Sequence, residues 1–581
     1  MFSKYYQGEL AFLRELGGEF ARAHPATAGL LSERSGDPDV ERLLQGVAFL
    51  TAQLKERVDD AHPRFIHDLA ALLLPHSLRP VPAATIIEFK PRKPPKERLT
   101  LERGAELSSR PVRGARCLFQ TSADVDLLPL RIARAELEEQ GHDAYRLRLG
   151  FESTGSSATA AFHARGIRLF LHAGLPTAAC LLTWLMRHCR GVTIRSSRAG
   201  GKRVALPPDV LAFPGLTPDE PLLPWPEFAP SGLRIVQEYF TLPEKLLFVD
   251  IKGLDAARDS IESRFEVEFE IRDAPGLPTR LSAEMFRINC APAINLFAVS
   301  AEPIRRDPLV REHLVRASGL TREAFEVFDV REVIGVQAGD ARRRQYSPFL
   351  SFAHDAPGAE QTYYDLRRST SPIDGAVDTY IGVERPRDLP PGVGKEVLSV
   401  ELLCTNRDLP TELDIGDIST PTPRSRATAT FSNITPVSRP ARPPLDGSLH
   451  WRVLGHLAAQ RRSLADPGVL AAMLGFYNVH ADADVQRGRA NQRRVEAIRD
   501  VSMRPVTRLV SSLPVRGTET IISVNETGFA GVGDAFLFGC VLDEVIAALV
   551  PLNSFNQLRL MIHPAQREYT WRPRNGARTL F

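Results

Sequence analysis

The chain has 581 residues, too many for one ordinary hydrophobic core, with 43 % hydrophobic and 25 % charged residues. Those are globular proportions, and they exclude a disordered or low-complexity chain. The net charge is only +3, and no sustained basic stripe of the kind that nucleic acid needs runs anywhere in the sequence.

The first 82 residues organise the rest. Tyr6, Leu10, Leu13 and Phe20, with Tyr5, Phe12 and Leu16 beside them, form a broad apolar stripe at helical spacing. The predicted helix starts near Ser3 and ends near His24-Pro25. Gly17-Gly18 inside it costs about 1 kcal/mol per residue relative to alanine, which close backbone packing would offset. The best helix start in the chain is Asp37-Pro38: Asp37 accepts from free first-turn amides, and Pro38 fits a position that needs no N–H. Val40, Leu43, Leu44, Val47, Leu50, Leu54 and Val58 then keep the 3.6-residue period. A third helix is predicted from Pro63 to Leu74. The hinge Pro75-His76-Ser77-Leu78-Arg79-Pro80-Val81-Pro82 ends the helical reading. Rings on both sides of the first helix favour a bundle shared with other chains over one packed only on its own body.

Proline is abundant after the hinge, in keeping with the chain total of 45, and favours loops and β edges there. Thr85 to Phe89 is a strand candidate. Tyr145 to Leu149 and Phe265 to Ile271 alternate, with one face on a core and one in water. Leu181 to His188 reads as a short helix. The irregular stretch from Pro207 to Pro226, around Trp225, is long enough to be functional or ordered by a partner. Val327 to Val330 is a short strand, and Val397 to Leu403 is apolar enough to be buried on both faces. The segment from Asp417 to Pro444 is rich in Ser, Thr, Pro and Arg and reads as a linker or a partner-ordered arm. Helical period returns at Leu449 to Leu457 and Pro467 to Tyr477. Arg504 to Val506 and Thr520 to Val524 are strands, and Phe536 to Val550 is a helix. The boundaries that follow are 1–82 helical, 83–303 β-rich, 304–444 β-rich with the linker, and 445–581 mixed.

The six cysteines are scattered without a C-x-x-C pair, so neither a zinc ribbon nor a disulfide framework is expected, and free thiols suit a reducing cytoplasm. No signal peptide is seen, and the longest mostly apolar run, Ala178 to Met186, falls far short of the roughly 18 residues that span a bilayer. Arg342-Arg343-Arg344, Arg461-Arg462 and Arg493-Arg494 read as solvated faces or partner contacts. Cys290 has no histidine near it in sequence and reads as a small buried residue. No Walker-type loop, G-x-S-x-G or H-E-x-x-H occurs, and Gly528 to Gly533 reads as a tight turn. Asp59, Asp60, His62, His67 and Asp68 have the side chains of a metal site. Pro63, however, begins a new predicted helix between the two histidines, and the aspartates suit that helix's N-terminus. No metal, cofactor or catalytic residue is therefore predicted.

Several segments resemble one family in order along the chain. They are Tyr5-Tyr6-x-x-Glu9-Leu10-x-x-Leu13-Arg14, Asp37-Pro38-x-Val40-Glu41-Arg42-Leu43-Leu44, Asp59-Asp60-x-x-Pro63 and Pro75-His76-x-Leu78-x-Pro80-x-Pro82. Further on come Asn289-Cys290-x-Pro292, Trp451 with His456-Leu457, and Trp571-x-Pro573-Arg574-x-Gly576. These resemble the TssF family, baseplate wedge subunits of bacterial type VI secretion. Gln45 stands where the family pattern leads one to expect a carboxylate, and Ala83 where it leads one to expect a serine.

The resemblance implies a multidomain α+β fold: an N-terminal helical bundle, β-rich wing-like domains and a mixed C-terminal domain. It implies a cytoplasmic, non-catalytic structural subunit, held at the inner membrane only through partners. Those partners are TssG, TssK, TssE, a second TssF copy, neighbouring wedges and the spike hub. The candidate interface residues are then Tyr5, Tyr6, Leu10, Leu13 and Phe20 on the first helix and Val40, Leu43, Leu44 and Val47 on the second. A metal-dependent hydrolase built on the Asp59–Asp68 cluster and a β-rich ligand-binding module are the alternatives from other classes.

Overall fold

The computed structural model describes residues 2–576 apart from 24–37, 94, 96–98, 142, 156–165, 197–202, 261–262, 275, 277–280, 308–309, 338–342, 350–361, 372, 385–395, 426–427, 446, 460–463, 482 and 511–512. Its α-helices are α1 (Phe2–Ala23), α2 (Pro38–Leu73), α3 (Leu175–Thr183), α4 (Ser231–Thr241), α5 (Gly447–Ala459), α6 (Pro467–Gly475), α7 (Val485–Glu496) and α8 (Val532–Leu549). The chain divides into a smaller unit, Met1–Leu78 with Pro444–Val453, and a larger one, Arg79–Pro443 with Leu454–Phe581.

In the smaller unit α1 packs against α2. Tyr6, Glu9, Leu10, Leu13 and Gly17 are the half-buried positions of α1, a three-four spacing that makes one continuous seam. On α2, Ala48 and Ala52 are fully buried, and such small side chains let two helices approach closely. Arg14 of α1 pairs with Glu41 of α2. The sequence predicts two helices meeting at Pro63, but one helix of 36 residues runs from Pro38 to Leu73. A proline removes one main-chain hydrogen bond and bends a helix without always ending it, and the turns on either side sustain this one. α2 ends at Pro75, where a 3-10 turn follows and Ser77 donates to the Leu74 carbonyl at 2.7 Å.

The larger unit is built from mostly antiparallel sheets joined across long sequence distances. Strand Ala84–Pro91 pairs with Cys290–Ile294 on one side and Ala429–Asn433 on the other, and the sheet continues through Ala115–Thr121 to Glu106–Val112. Its core gathers Ile87, Phe89, Phe119, Ala293, Leu409, Ile418 and Phe431. The supposed linker 417–444 is thus an integral part of this sheet. Thr435 bonds Thr85 and the Ile86 amide, and Ser438 accepts from the Ala84 amide at 2.9 Å. Its serines and threonines replace water as partners of a buried backbone, a role that composition alone hides.

A second sheet orders the strands Arg203–Leu206, Cys189–Ser196, Arg264–Arg272, Ala144–Ser153 and Leu130–Gly141. A further sheet holds Glu326–Gln337 against Glu396–Thr405. In Glu396–Thr405 the burial alternates as far as Leu402, so this strand is not buried on both faces along its length as its composition suggests. The last sheet carries the hairpin Ile498–Val510 and Leu513–Asn525, with Phe555–His563 running parallel to the second of these.

The apolar helix α8 ties the C-terminal sheet to the rest of its unit. A Cβ on Gly533 would lie 2.5 Å from the Cys180 amide nitrogen of α3, and one on Gly232 of α4 would lie 2.5 Å from the Glu544 carbonyl oxygen of α8. The helices therefore meet backbone to backbone. Asp534, in the first turn of α8, accepts from the Tyr239 hydroxyl, the Arg494 Nε and the Ala530 amide at 3.0–3.1 Å. Arg494, which sequence reading places on a solvated face, is buried in this pair. The stretch around Trp225 is ordered by the chain itself: Glu238 accepts from the Leu222 and Leu223 amides and is paired with Lys245.

Two predictions follow from the interior. Asp534→Ala leaves the Arg494 guanidinium buried without its carboxylate, and should destabilise the larger unit by about 3–5 kcal/mol, read as a lowered thermal midpoint of the full chain. Glu326 is buried near Arg442, Arg407 and Arg368, and burial pushes its carboxyl up to about 7. Above its unfolded value of 4.5 the unfolded chain has lost a proton that the folded chain still holds, so stability falls as pH rises from there to about 7. Glu326→Gln should raise the thermal midpoint at about pH 8 and leave it unchanged at about pH 4.5; equal midpoints for variant and parent at the higher pH would contradict the assignment.

Candidate protein–protein interface on the helical head

Among the described residues, the smaller unit buries few side chains for the apolar ones it carries. On α1, Phe12, Leu16 and Phe20 stand at i, i+4 and i+8, and all are about half exposed. On α2, Leu43, Val47 and Leu50 stand at i, i+4 and i+7, with Leu43 70 % and Leu50 61 % exposed. At 100° per residue the exposed stripe lies roughly 75° from the seam on α1, and on α2 roughly 110° from the mean direction of the half-buried and buried positions Val40, Glu41, Leu44, Ala48, Thr51 and Ala52. Each helix thus has one apolar stripe turned to its neighbour and another beside it turned to solvent. Phe49, Phe65 and Leu73 add exposed apolar surface on α2, and Trp451 on α5 is 79 % exposed. Each such side chain gains about 1.5–3 kcal/mol on full burial.

The residues singled out from sequence divide between the two stripes. Tyr6, Leu10, Leu13, Val40 and Leu44 are half-buried, while Phe20, Leu43 and Val47 are exposed. The side chain of Tyr5 lies outside the described residues. Phe12, Leu16, Leu50, Phe65 and Trp451 were legible as helical apolar positions, but periodicity alone does not say which of two neighbouring stripes a partner within the chain covers.

Chemistry is not concentrated anywhere comparable. Cys290 is buried in its strand, and burial raises its thiol well above the ordinary value, which keeps it protonated and unreactive. Gly533 is pressed against α3, and the Asp534 carboxylate accepts the Ala530 amide just ahead of α8, so the glycines around residue 530 serve packing and a turn. The side chains of Asp59, Asp60 and His62 lie outside the described residues. Among the described residues, no three His, Cys, Asp or Glu side chains stand close enough to hold a metal. Among them, too, no helix is long and apolar enough to cross a membrane.

The seam itself is testable. Ala48→Leu inserts a large side chain where none fits, and overpacking of this kind costs about 1–3 kcal/mol. Leu43→Ser, on the exposed stripe, should change the stability of the isolated chain by less than about 0.5 kcal/mol. Chemical denaturation of the two variants followed by circular dichroism separates the stripes.

The head and the body that carries it match known proteins along their whole length. A family model described as "Type VI secretion system, TssF" matches residues 1–578. The chain is 30 % identical, over 633 aligned positions, to the type VI secretion system component TssF1 of Pseudomonas aeruginosa, covering 99 % of this chain and 98 % of that one. In structure it is similar to a chain of the type VI secretion system TssK–TssF–TssG baseplate subcomplex solved by cryo-electron microscopy. That match has a TM-score of 0.79 and 27 % identity, over 93 % of this chain and 99 % of the other. A chain of a type VI secretion baseplate complex shares the fold at a TM-score of 0.61 and 24 % identity over all of both chains. The chain belongs to the TssF family of type VI secretion proteins.

Proposed function

We propose that this chain is a structural, non-catalytic subunit of a type VI secretion baseplate wedge and that its helical head is completed by helices of partner chains. The observation that carries the reading is the second apolar stripe on each of α1 and α2, exposed in the chain by itself. A two-helix unit has too little core to hold such stripes in water to no purpose, and a helix laid along them removes the cost. The relative of similar structure was solved in a subcomplex with TssK and TssG. A TssG-type protein is accordingly the first partner, followed by TssK, TssE and a second copy of this chain around the spike.

In this reading the protein carries its function in interfaces. Sheath assembly and contraction draw on contacts between wedges, and a change of state is a switch between two packed arrangements of the same surfaces. The protein works on the cytoplasmic side of the inner membrane, and its partners supply any link to the bilayer.

The experiment is co-expression of the full chain with the TssG-like protein of the same system, followed by size-exclusion chromatography with light scattering. The parent chain should form a stable complex. Leu43→Asp with Leu50→Asp should weaken it at least about 100-fold, since two buried apolar side chains contribute about 3 kcal/mol or more, with circular dichroism unchanged. A complex unaffected by these changes would move the interface off the head. A monomer that forms no complex in any form would remove the baseplate reading and favour a ligand-binding module.

A further inference from the structure

One pair of side chains in the smaller unit has no part in the docking stripes. His67 lies on α2 and His450 in the first turn of α5, far apart in sequence. Their rings face each other with centroids 5.5 Å apart and planes inclined at 59°. The Nε2 atom of each is buried and has no hydrogen-bond partner among the described residues. Burial lowers the His67 pKa, and the neighbouring His450 lowers it further, so this imidazole stays neutral at physiological pH. An orphaned buried nitrogen is costly, and here one occurs on each of two neighbouring rings.

We propose that His67 and His450 bind one Zn²⁺ ion between their Nε2 atoms. Two imidazoles on one tetrahedral zinc, each with a Zn–N bond of about 2.0–2.1 Å, place their ring centroids about 5–5.5 Å apart. The observed ring separation of 5.5 Å matches that spacing. A linear two-coordinate ion would need rings further apart. Neutral imidazole is the form that binds, and borderline-soft zinc matches a nitrogen donor. Among the described residues no third ligand joins the pair. Two coordination positions are thus left for water or for a side chain of an assembly partner. The ion would cross-link α2 to α5, so that the long helix and the returning segment of the smaller unit hold each other. The inference does not depend on which partners the head takes.

The competing occupant is a water molecule bridging the two nitrogens, and metal titration separates the two. The untagged full chain, dialysed against a chelator, is titrated with Zn²⁺ by calorimetry, and with Co²⁺ while the visible spectrum is recorded. The expected result is one equivalent per chain, with the absorption of tetrahedral cobalt. His67→Gln and His450→Gln should each weaken binding at least about 10–100-fold. Should a variant fail to fold, the parent chain alone gives the answer, because Zn²⁺ then raises its thermal midpoint and Mg²⁺ does not. Failure of the parent chain to take up zinc, or equal uptake by the double variant, would overturn the site.

Discussion

Strand Ala84–Pro91 is the constraint on which the larger unit depends. It follows the proline hinge directly, and its first six residues are buried. Its two neighbours arrive from strands that begin at Cys290 and Ala429, so the first pairing waits for about half of the chain and the second for about three quarters of it. Closing loops of that length costs entropy that only the finished sheet repays. Val81 and Ala441 exchange backbone hydrogen bonds at 2.7 and 2.9 Å, so the outgoing and returning segments run side by side.

The same economy of long-range contacts recurs at α8. Glycine at positions 232 and 533 lets three helices touch backbone to backbone, which no larger residue permits there. Around that contact lies a buried polar network. Asp534 holds Tyr239 and Arg494, Arg494 donates to Asn491 at 3.0 Å, and Asn491 donates to the Phe240 carbonyl at 3.2 Å. Hydrogen bonds of this kind add little net stability, but each is costly to break, so they specify one docking of α4 against the C-terminal segments. Apolar packing alone would leave that docking free to slide.

The parts of this fold that were legible in the sequence are those whose signal is local. The Asp37-Pro38 start, the alternation of Phe265 to Ile271 and the return of helical period at Leu449 all depend on neighbours within a turn or a pleat. The elements missed or misread are those decided by distant partners. Helix α7, Val485–Glu496, carries four arginines and three apolar residues if alanine is counted, so it shows no apolar face; it is fixed by Asp484 at its N-terminus and by buried Asn491 and Arg494. The segment 417–444 looked like a linker because its polar residues bond a backbone more than 300 positions away. Pro63 looked like a helix end because the sequence shows the lost hydrogen bond and not the turns that outweigh it. For the candidate interface the sequence supplied the helices and their apolar positions, but the division between seam and exposed stripe came only from the packed pair.

That division separates the two units physically. In the larger unit, carboxylates, arginines and hydroxyls are brought to partners within the chain, and aromatic residues such as Trp184, Tyr239 and Phe286 are almost fully buried. In the smaller unit, large apolar side chains at regular helical spacing face solvent. A chain selected only for its own stability would replace them, because polar residues at exposed helical positions cost nothing in packing and reduce aggregation. Their retention is explained when the folded state includes other chains.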